Sequence, residues 1–227
     1  MPCQFDSEQN YDEVLGKGLR LSGEGREFFI DGRVRELAGR MPAGFRPRRI
    51  LDFGCGTGET CAALARVFPD AEIVGVDVAE KPLELARKAA RSSRIRFGRW
   101  GGSEDLGVFD LCYVNGVFHH IEPGQRNGIL LAIRERLAPG AYLSFFENNP
   151  WNPGTRMVMR RIEFDWDSIP LSPVSAHELL RGAGFLAPYP TRFLFYFPRI
   201  LAGLRILEPA LARLPLGAQY HILAVNP

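Results

Sequence analysis

Between residues 49 and 147 the chain alternates two kinds of segment. RILDF (49–53), AEIVGVDV (71–78), RIRFGR (94–99), FDLCYVNGVF (109–118) and AYLSFFE (141–147) are short runs of buried-strand character. TCAALARVF (60–68), EKPLELARKAA (80–90) and QRNGILLAIRERL (125–137) have helical apolar spacing. In the third, Ile129, Leu130, Ile133 and Leu137 share a face. In the second, Pro82 falls in the first turn, where a missing N–H costs nothing. Strands and helices in this order build right-handed βαβ crossovers, hence a parallel sheet with helices on both faces. Ligands of such sheets bind at the carboxyl ends of the strands, near the switch in strand order.

The turn after the first strand, GCGTGE (54–59), holds glycines at 54, 56 and 58, just where the first helix should start. Glycine loses more backbone freedom on folding than any other residue. A tight turn needs one such position. Three, framed by Asp52 and followed by Asp77, predict a ligand lying against bare backbone. The spacing is G-x-G-x-G, not the G-x-G-x-x-G of dinucleotide folds, and Glu59 stands where the last dinucleotide glycine would be. A carboxylate there would repel a pyrophosphate, which argues against NAD.

Composition narrows the class further. The 227 residues are 46 % hydrophobic with a net charge of +2, so there is no basic footprint for nucleic acid. Cys3, Cys55, Cys61 and Cys112 form no C-x-x-C pair, and the N-terminus is polar and acidic, unlike a signal peptide. Reduced thiols in a cytoplasmic protein are the simplest account. No apolar run is long enough for a membrane helix; the nearest, FLFYFPRILAGL (193–204), is broken by Pro198 and Arg199.

In this setting ILDFGCGTG, VGVDVAE, FDLCYVNGVFHHI, LAPGAYLSFFE and LLRGAGF (179–185) together resemble, in order and spacing, the class I S-adenosylmethionine-dependent methyltransferases, small-molecule type. The resemblance covers about residues 45–148. It implies a Rossmann-like α/β fold: a seven-stranded, mostly parallel sheet flanked by helices, with an N-terminal helical cap. One domain is expected, divided into a cap (1–45), a cofactor-binding core (46–148) and an acceptor-side part with the C-terminal strands (149–227). The implied cofactor is S-adenosyl-L-methionine, with S-adenosyl-L-homocysteine as product. The implied cofactor residues are Asp52, Gly54, Cys55, Gly56 and Gly58 of the first motif, Asp77 for the ribose hydroxyls, Val78 against the adenine, and Asn115 and Gly116 after strand four. The family's acidic residue after strand three is missing. Either Trp100 stacks on or flanks the adenine instead, or Ser103 or Glu104 takes the polar role, Trp100 then being a core aromatic. Tyr11 and Arg26 of the cap either lie on the surface or contact the ligand as part of a lid.

Methyl transfer from a sulfonium asks for proximity and alignment, plus a base if the acceptor must lose a proton. His119 and His120 follow strand four, and a neutral imidazole suits that role. One of them acts as base, His119 being nearer, or the pair packs. A metal site is not expected, since adjacent histidines at a strand end should point apart. Glu147, Asn148 and Asn149 end strand five on the ligand side. They orient a polar acceptor, or the asparagines cap a turn fixed by the prolines of NNPWNP. The same stretch and PLGAQY (215–220) resemble a subgroup of small bacterial methyltransferases with no defined substrate. The expected activity is therefore methylation of a small molecule, oxygen before nitrogen, with a non-catalytic cofactor-binding protein as the alternative.

Residues 193–215 are longer than the family's usual hairpin between strands six and seven. Phe193, Phe195 and Phe197 alternate as in a half-buried strand, and Ile200, Leu201, Leu204, Leu207 and Leu211 form a helical stripe. Extra core, a homodimer interface, and a surface facing a hydrophobic or lipid-linked acceptor all fit. Arg199, Arg205 and Arg213 suit the last.

Overall fold

The computed structural model describes residues 22–103, 105–162 and 166–227; Tyr11 and Glu104 lie outside them. Seven strands form one sheet: β1 (Arg49–Phe53), β2 (Glu72–Asp77), β3 (Ile95–Arg99), β4 (Phe109–Asn115), β5 (Leu137–Asn148), β6 (Arg192–Leu194) and β7 (Gln219–Val225). Their order is β3-β2-β1-β4-β5-β7-β6. The first five are parallel, and β7 runs antiparallel to both β5 and β6. The described helices are α1 (Arg26–Arg40), α2 (Glu59–Val67), α3 (Glu80–Ala89), α4 (Pro123–Glu135), α5 (Pro153–Met159), α6 (Pro173–Gly182) and α7 (Glu208–Leu211). The sheet and helices are thus the Rossmann-like arrangement that the resemblance implied, with the parallel strands expected from the alternation.

Successive strand residues serve opposite faces. Leu51, Val74, Cys112 and Phe145 pack with Leu130 and Ile133 of α4 and Leu180 of α6. Their neighbours Ile50, Ile73, Leu111 and Phe146 pack with Val34 and Leu37 of α1, Leu64 of α2 and Leu83 of α3. Because both faces are covered, the strands read as nearly continuous apolar runs.

Four local features depart from expectation. β5 starts at Leu137, so LAPG lies within the strand, where its register with β4 shifts between Phe109 and Leu111. The proline-rich stretch after β5 contains α5, started by Pro153 and capped by Asn152, which accepts the Thr155 N–H at 2.9 Å. β6 stops at Leu194 because Phe195 adopts φ +63°, outside the strand region. The segment Arg199–Leu207 forms 3₁₀ turns kinked at Leu201, and none of its residues is buried. For this segment the extra-core reading is overturned: the apolar stripe faces solvent.

Candidate active site

β1, β4 and β5 end side by side at the switch in strand order, where β1 separates β2 from β4. A cavity of about 490 Å³ opens there. Gly54, Cys55 and Gly56 line it from β1, Asn115 and Gly116 from β4, His119 and His120 from the turn beyond, and Asn148 from β5. Phe28, Phe29 and Arg33 of α1, Met157 and Val158 of α5, and Phe195, Tyr196 and Phe197 complete the walls.

The glycine turn has its own geometric reason. Gly54, Gly56 and Gly58 have φ +74°, +52° and +80°. A Cβ on Gly54 would collide with Val117, and one on Gly58 would lie 2.6 Å from Phe97 Cζ. Backbone conformation therefore asks for all three glycines, and the argument that a turn needs one of them fails. Asp77 braces the loop: its carboxylate accepts the N–H groups of Gly56 (2.9 Å) and Ala79 (3.0 Å). Glu59 lines the cavity but is paired with Arg26 at 2.8 Å, so its charge is offset and no longer argues against an anionic ligand.

The turn after β4 is a short 3₁₀ element, Phe118–His120. Its geometry rests on Glu147, which is fully buried at the end of β5. Glu147 Oε1 accepts the Phe118 N–H at 2.7 Å, and Oε2 accepts the Asn148 N–H at 3.3 Å and lies 2.7 Å from His119 Nδ1. Burial alone would raise the Glu147 pKa; His119 and the two backbone donors outweigh it and hold the carboxyl below its usual range. An ionised carboxylate only accepts, so His119 Nδ1 carries the proton in this pair.

The imidazoles of His119 and His120 do not point apart. They touch, with ring centroids 4.1 Å apart, because the chain turns helically here instead of continuing as a strand. Among the described residues no group of three His, Cys, Asp or Glu could hold a metal ion.

Seven sequence-derived site residues do not line the cavity. Glu147 does not line the cavity; it bonds His119, which does. Asn149 is also fully buried. Its amide donates to the carbonyls of Pro215 (3.1 Å) and Gly217 (2.8 Å), and its oxygen accepts the Trp151 N–H. Asp52 is buried beneath the loop, where its carboxylate accepts the Cys61 thiol at 3.1 Å. Burial pushes the Asp52 pKa up to about 7. Trp100 packs edge-on against Phe53 at 4.8 Å, with the Arg136 guanidinium over its ring. Gly58, Asp77 and the half-exposed Val78 lie outside the cavity wall.

One polar chain had no sequence forecast. Arg33, buried on α1, donates to the Tyr113 hydroxyl (3.1 Å) and to Gln219 Oε1 (3.1 Å), and Gln219 in turn donates to Asn148 Oδ1 (3.1 Å). An arginine on the face shared by Ile30, Val34 and Leu37 was the available signal, since buried arginines need partners.

Comparison with known proteins identifies this architecture. A family profile described as a methyltransferase domain matches residues 51–143. An S-adenosylmethionine-dependent methyltransferase from Archaeoglobus fulgidus has the same fold: TM-score 0.70 at 16 % identity, covering 95 % of this chain and 99 % of that one. Residues 51–143 are thus similar to a methyltransferase domain, on a fold shared with S-adenosylmethionine-dependent methyltransferases. Trans-aconitate 2-methyltransferase of Deinococcus radiodurans is 35 % identical over 120 residues, 51 % of this chain and 45 % of that protein. A tRNA (guanine-N(7)-)-methyltransferase of Chloroflexus aurantiacus is 29 % identical over 177 residues, 72 % of this chain and 76 % of that protein. The chain spans about half the length, or less, of several curated relatives: 27 %, 51 % and 45 % in three cases.

The cavity offers groups that fit S-adenosylmethionine, the cofactor of the methyltransferases that share this fold. Gly54 and Gly56 leave backbone exposed at the cavity, and Asn115 Oδ1 is a buried acceptor without a hydrogen-bond partner. Such an oxygen suits an ammonium or amide donor. Among the described residues, no helix is long and apolar enough to cross a membrane.

Proposed function

We propose that the methyltransferase domain transfers a methyl group from S-adenosylmethionine to an oxygen of a small-molecule acceptor held in the cavity between α1, α5 and residues 195–198. The observation that carries this reading is the His119–Glu147 pair, which sets an imidazole in the cavity wall beside the glycine loop. With Nδ1 committed to Glu147, Nε2 is the nitrogen that takes the acceptor's proton.

Bound cofactor would supply an electrophilic methyl group on a sulfonium. Gly54, Cys55, Gly56, Asn115 and Gly116 would hold its amino-acid half. Asp77 has a lone pair left on each oxygen for the ribose hydroxyls, and Val78 and Trp100 border the adenine side. His120 braces His119. Asn148, held by Gln219 and through it by Arg33, orients the acceptor's polar end, while Phe28, Phe29, Phe195 and Met157 take its apolar body. The acceptor is accordingly amphiphilic, with a hydroxyl near His119.

Calorimetric titration with S-adenosylmethionine and, separately, NADH tests the cofactor assignment. Micromolar binding of the first alone supports it; binding of neither overturns it. Release of S-adenosylhomocysteine with phenolic or aliphatic alcohols then separates a catalyst from a non-catalytic binder.

A further inference from the structure

The segment Arg199–Leu207 is amphipathic in the inverted sense. Its polar groups hold it to the molecule and its apolar groups look outward. The Arg199 N–H donates to the Ser22 carbonyl at 2.8 Å. Arg205 pairs with Glu24 at 2.9 Å, lies over the Phe28 ring and donates to the Phe197 carbonyl. Glu208, just beyond, accepts the N–H groups of Tyr196 and Phe197 at 3.2 Å each. By contrast Ile200 is 91 % exposed and Ile206 84 %, and Leu201, Leu204 and Leu207 each exceed 40 %. Leu214 and Leu216 extend the patch. Single exposed apolar residues are ordinary in soluble proteins, but seven within 17 residues mark an interaction surface.

The surroundings of this face narrow its partner. Residues 196–216 contain three arginines against one glutamate, and 151–162 contain three more with no acid before the acidic run that starts at 163. Arg199 and Arg213 are exposed on the first stretch, and Arg156, Arg160 and Arg161 on the second. Trp151, Met157 and Trp166 are exposed beside the latter. Both stretches border the cavity, one through Tyr196 and Phe197, the other through Met157 and Val158. Apolar side chains fringed by arginine and tryptophan match the boundary between lipid headgroups and acyl chains. A two-fold interface with a second copy would lay the same patch on itself, arginines included.

We propose that residues 199–216, together with the α5 rim, dock onto an anionic phospholipid surface with the cavity mouth facing it. That an apolar acceptor then enters from the bilayer rests on the methyl-transfer reading; the docking does not.

The test is co-sedimentation of the full chain with vesicles of phosphatidylglycerol and phosphatidylcholine, against pure phosphatidylcholine. The expected result is binding to the anionic vesicles that weakens with salt. Ile200→Glu with Ile206→Glu should lower the partition coefficient by roughly tenfold or more. Arg160→Gln, Arg161→Gln and Arg213→Gln should lower it by roughly fivefold per charge. None of these residues touches the cavity, so S-adenosylmethionine titration of each variant should match wild type and verifies folding. Wild-type protein left in the supernatant, or binding indifferent to the isoleucine pair, overturns the proposal. So does a dimer in sedimentation velocity that the isoleucine pair dissolves without any vesicle binding. The assay involves no turnover, so its failure would leave the methyl-transfer reading standing, and the reverse holds too.

Discussion

Glu147→Gln removes one charge and almost no volume from a fully buried site, so its effect isolates what the carboxylate does. In the structure its oxygens serve three N–H donors, two of them at 2.7 Å. Glutamine keeps one oxygen. If that oxygen stays on Phe118, the amide NH₂ faces His119 Nδ1, which must become an acceptor. The hydrogen then moves to Nε2, and the nitrogen assigned as base becomes a donor. If the amide flips, NH₂ confronts the Phe118 N–H, donor against donor. A charge-assisted bond gives about 1.5–3 kcal/mol and a neutral one about 1. The expected loss of stability is therefore about 1–2 kcal/mol, or a melting temperature lower by roughly 2–8 °C for a chain of this size. Turnover should suffer more. A misplaced general base costs roughly 100-fold or more, about 2.7 kcal/mol of barrier. Cofactor affinity should stay unchanged, because neither residue belongs to the glycine loop. The assay is S-adenosylhomocysteine release across pH, with the His119 tautomer read from ¹⁵N shifts. Near-wild-type turnover with a wild-type pH profile, despite the tautomer change, would show that His119 only packs.

Asp77→Ala frees the Gly56 and Ala79 N–H groups and removes the proposed ribose acceptor. Each lost charge-assisted bond weakens binding by roughly tenfold or more, and calorimetry with S-adenosylmethionine reads the loss; unchanged affinity would sever Asp77 from the site. Gly58→Ala must hold φ +80° and push a Cβ into Phe97; the expected destabilisation is about 2–4 kcal/mol, and an unaltered denaturation midpoint would contradict the packing described. Asp52→Asn tests the buried carboxyl. From the ordinary value of 3.8 to the folded value of about 7 the native state keeps a proton that the unfolded chain has released. Wild type therefore loses about 1.4 kcal/mol per pH unit across that window, while the asparagine variant does not titrate. The variant's advantage should grow from pH 4 to pH 7 and level off above; parallel melting curves at pH 5 and pH 8 would refute the assignment.

The strands and most helices were legible because apolar runs and helical spacing record burial directly. β1 matches its sequence bounds residue for residue, at 49–53. The glycine loop and the end of β4 were located because βα turns of parallel sheets collect at one edge. What failed was direction. Asp52, Glu147 and Asn149 lie where ligand residues should, yet each turns to a partner under the surface: a thiol, an imidazole, two carbonyls. Sequence position says which end of a strand a residue occupies, not which neighbour its side chain finds. The stripe at 200–207 failed for a related reason. Periodicity shows that a segment has two faces; it does not say which one is inside. Here Arg205 and Glu208 took the inner side, because Glu24 and the N–H groups of Tyr196 and Phe197 needed charged partners.

The same asymmetry gives the two unexplained motifs, NNPWNP and PLGAQY, a joint role. Asn149, Asn152 and Thr155 together donate to four carbonyls, those of Pro215, Leu216, Gly217 and Ala218. The Asn149 N–H also reaches the Ala218 carbonyl. Gly217 also lets β6 pass close by, since a Cβ there would sit 2.6 Å from the Leu194 carbonyl oxygen. The clasp joins the exit of β5, two residues past Glu147, to the strand that carries Gln219. The end of β5, which carries Glu147 and Asn148, and the exposed face at 199–216 are therefore tied through one set of hydrogen bonds. A face that docks and a wall that reacts must keep a fixed distance if a tethered acceptor is to reach His119. Asparagines gripping backbone carbonyls, Asn149 among them fully buried, hold that distance in a way that apolar packing, free to slide, would not.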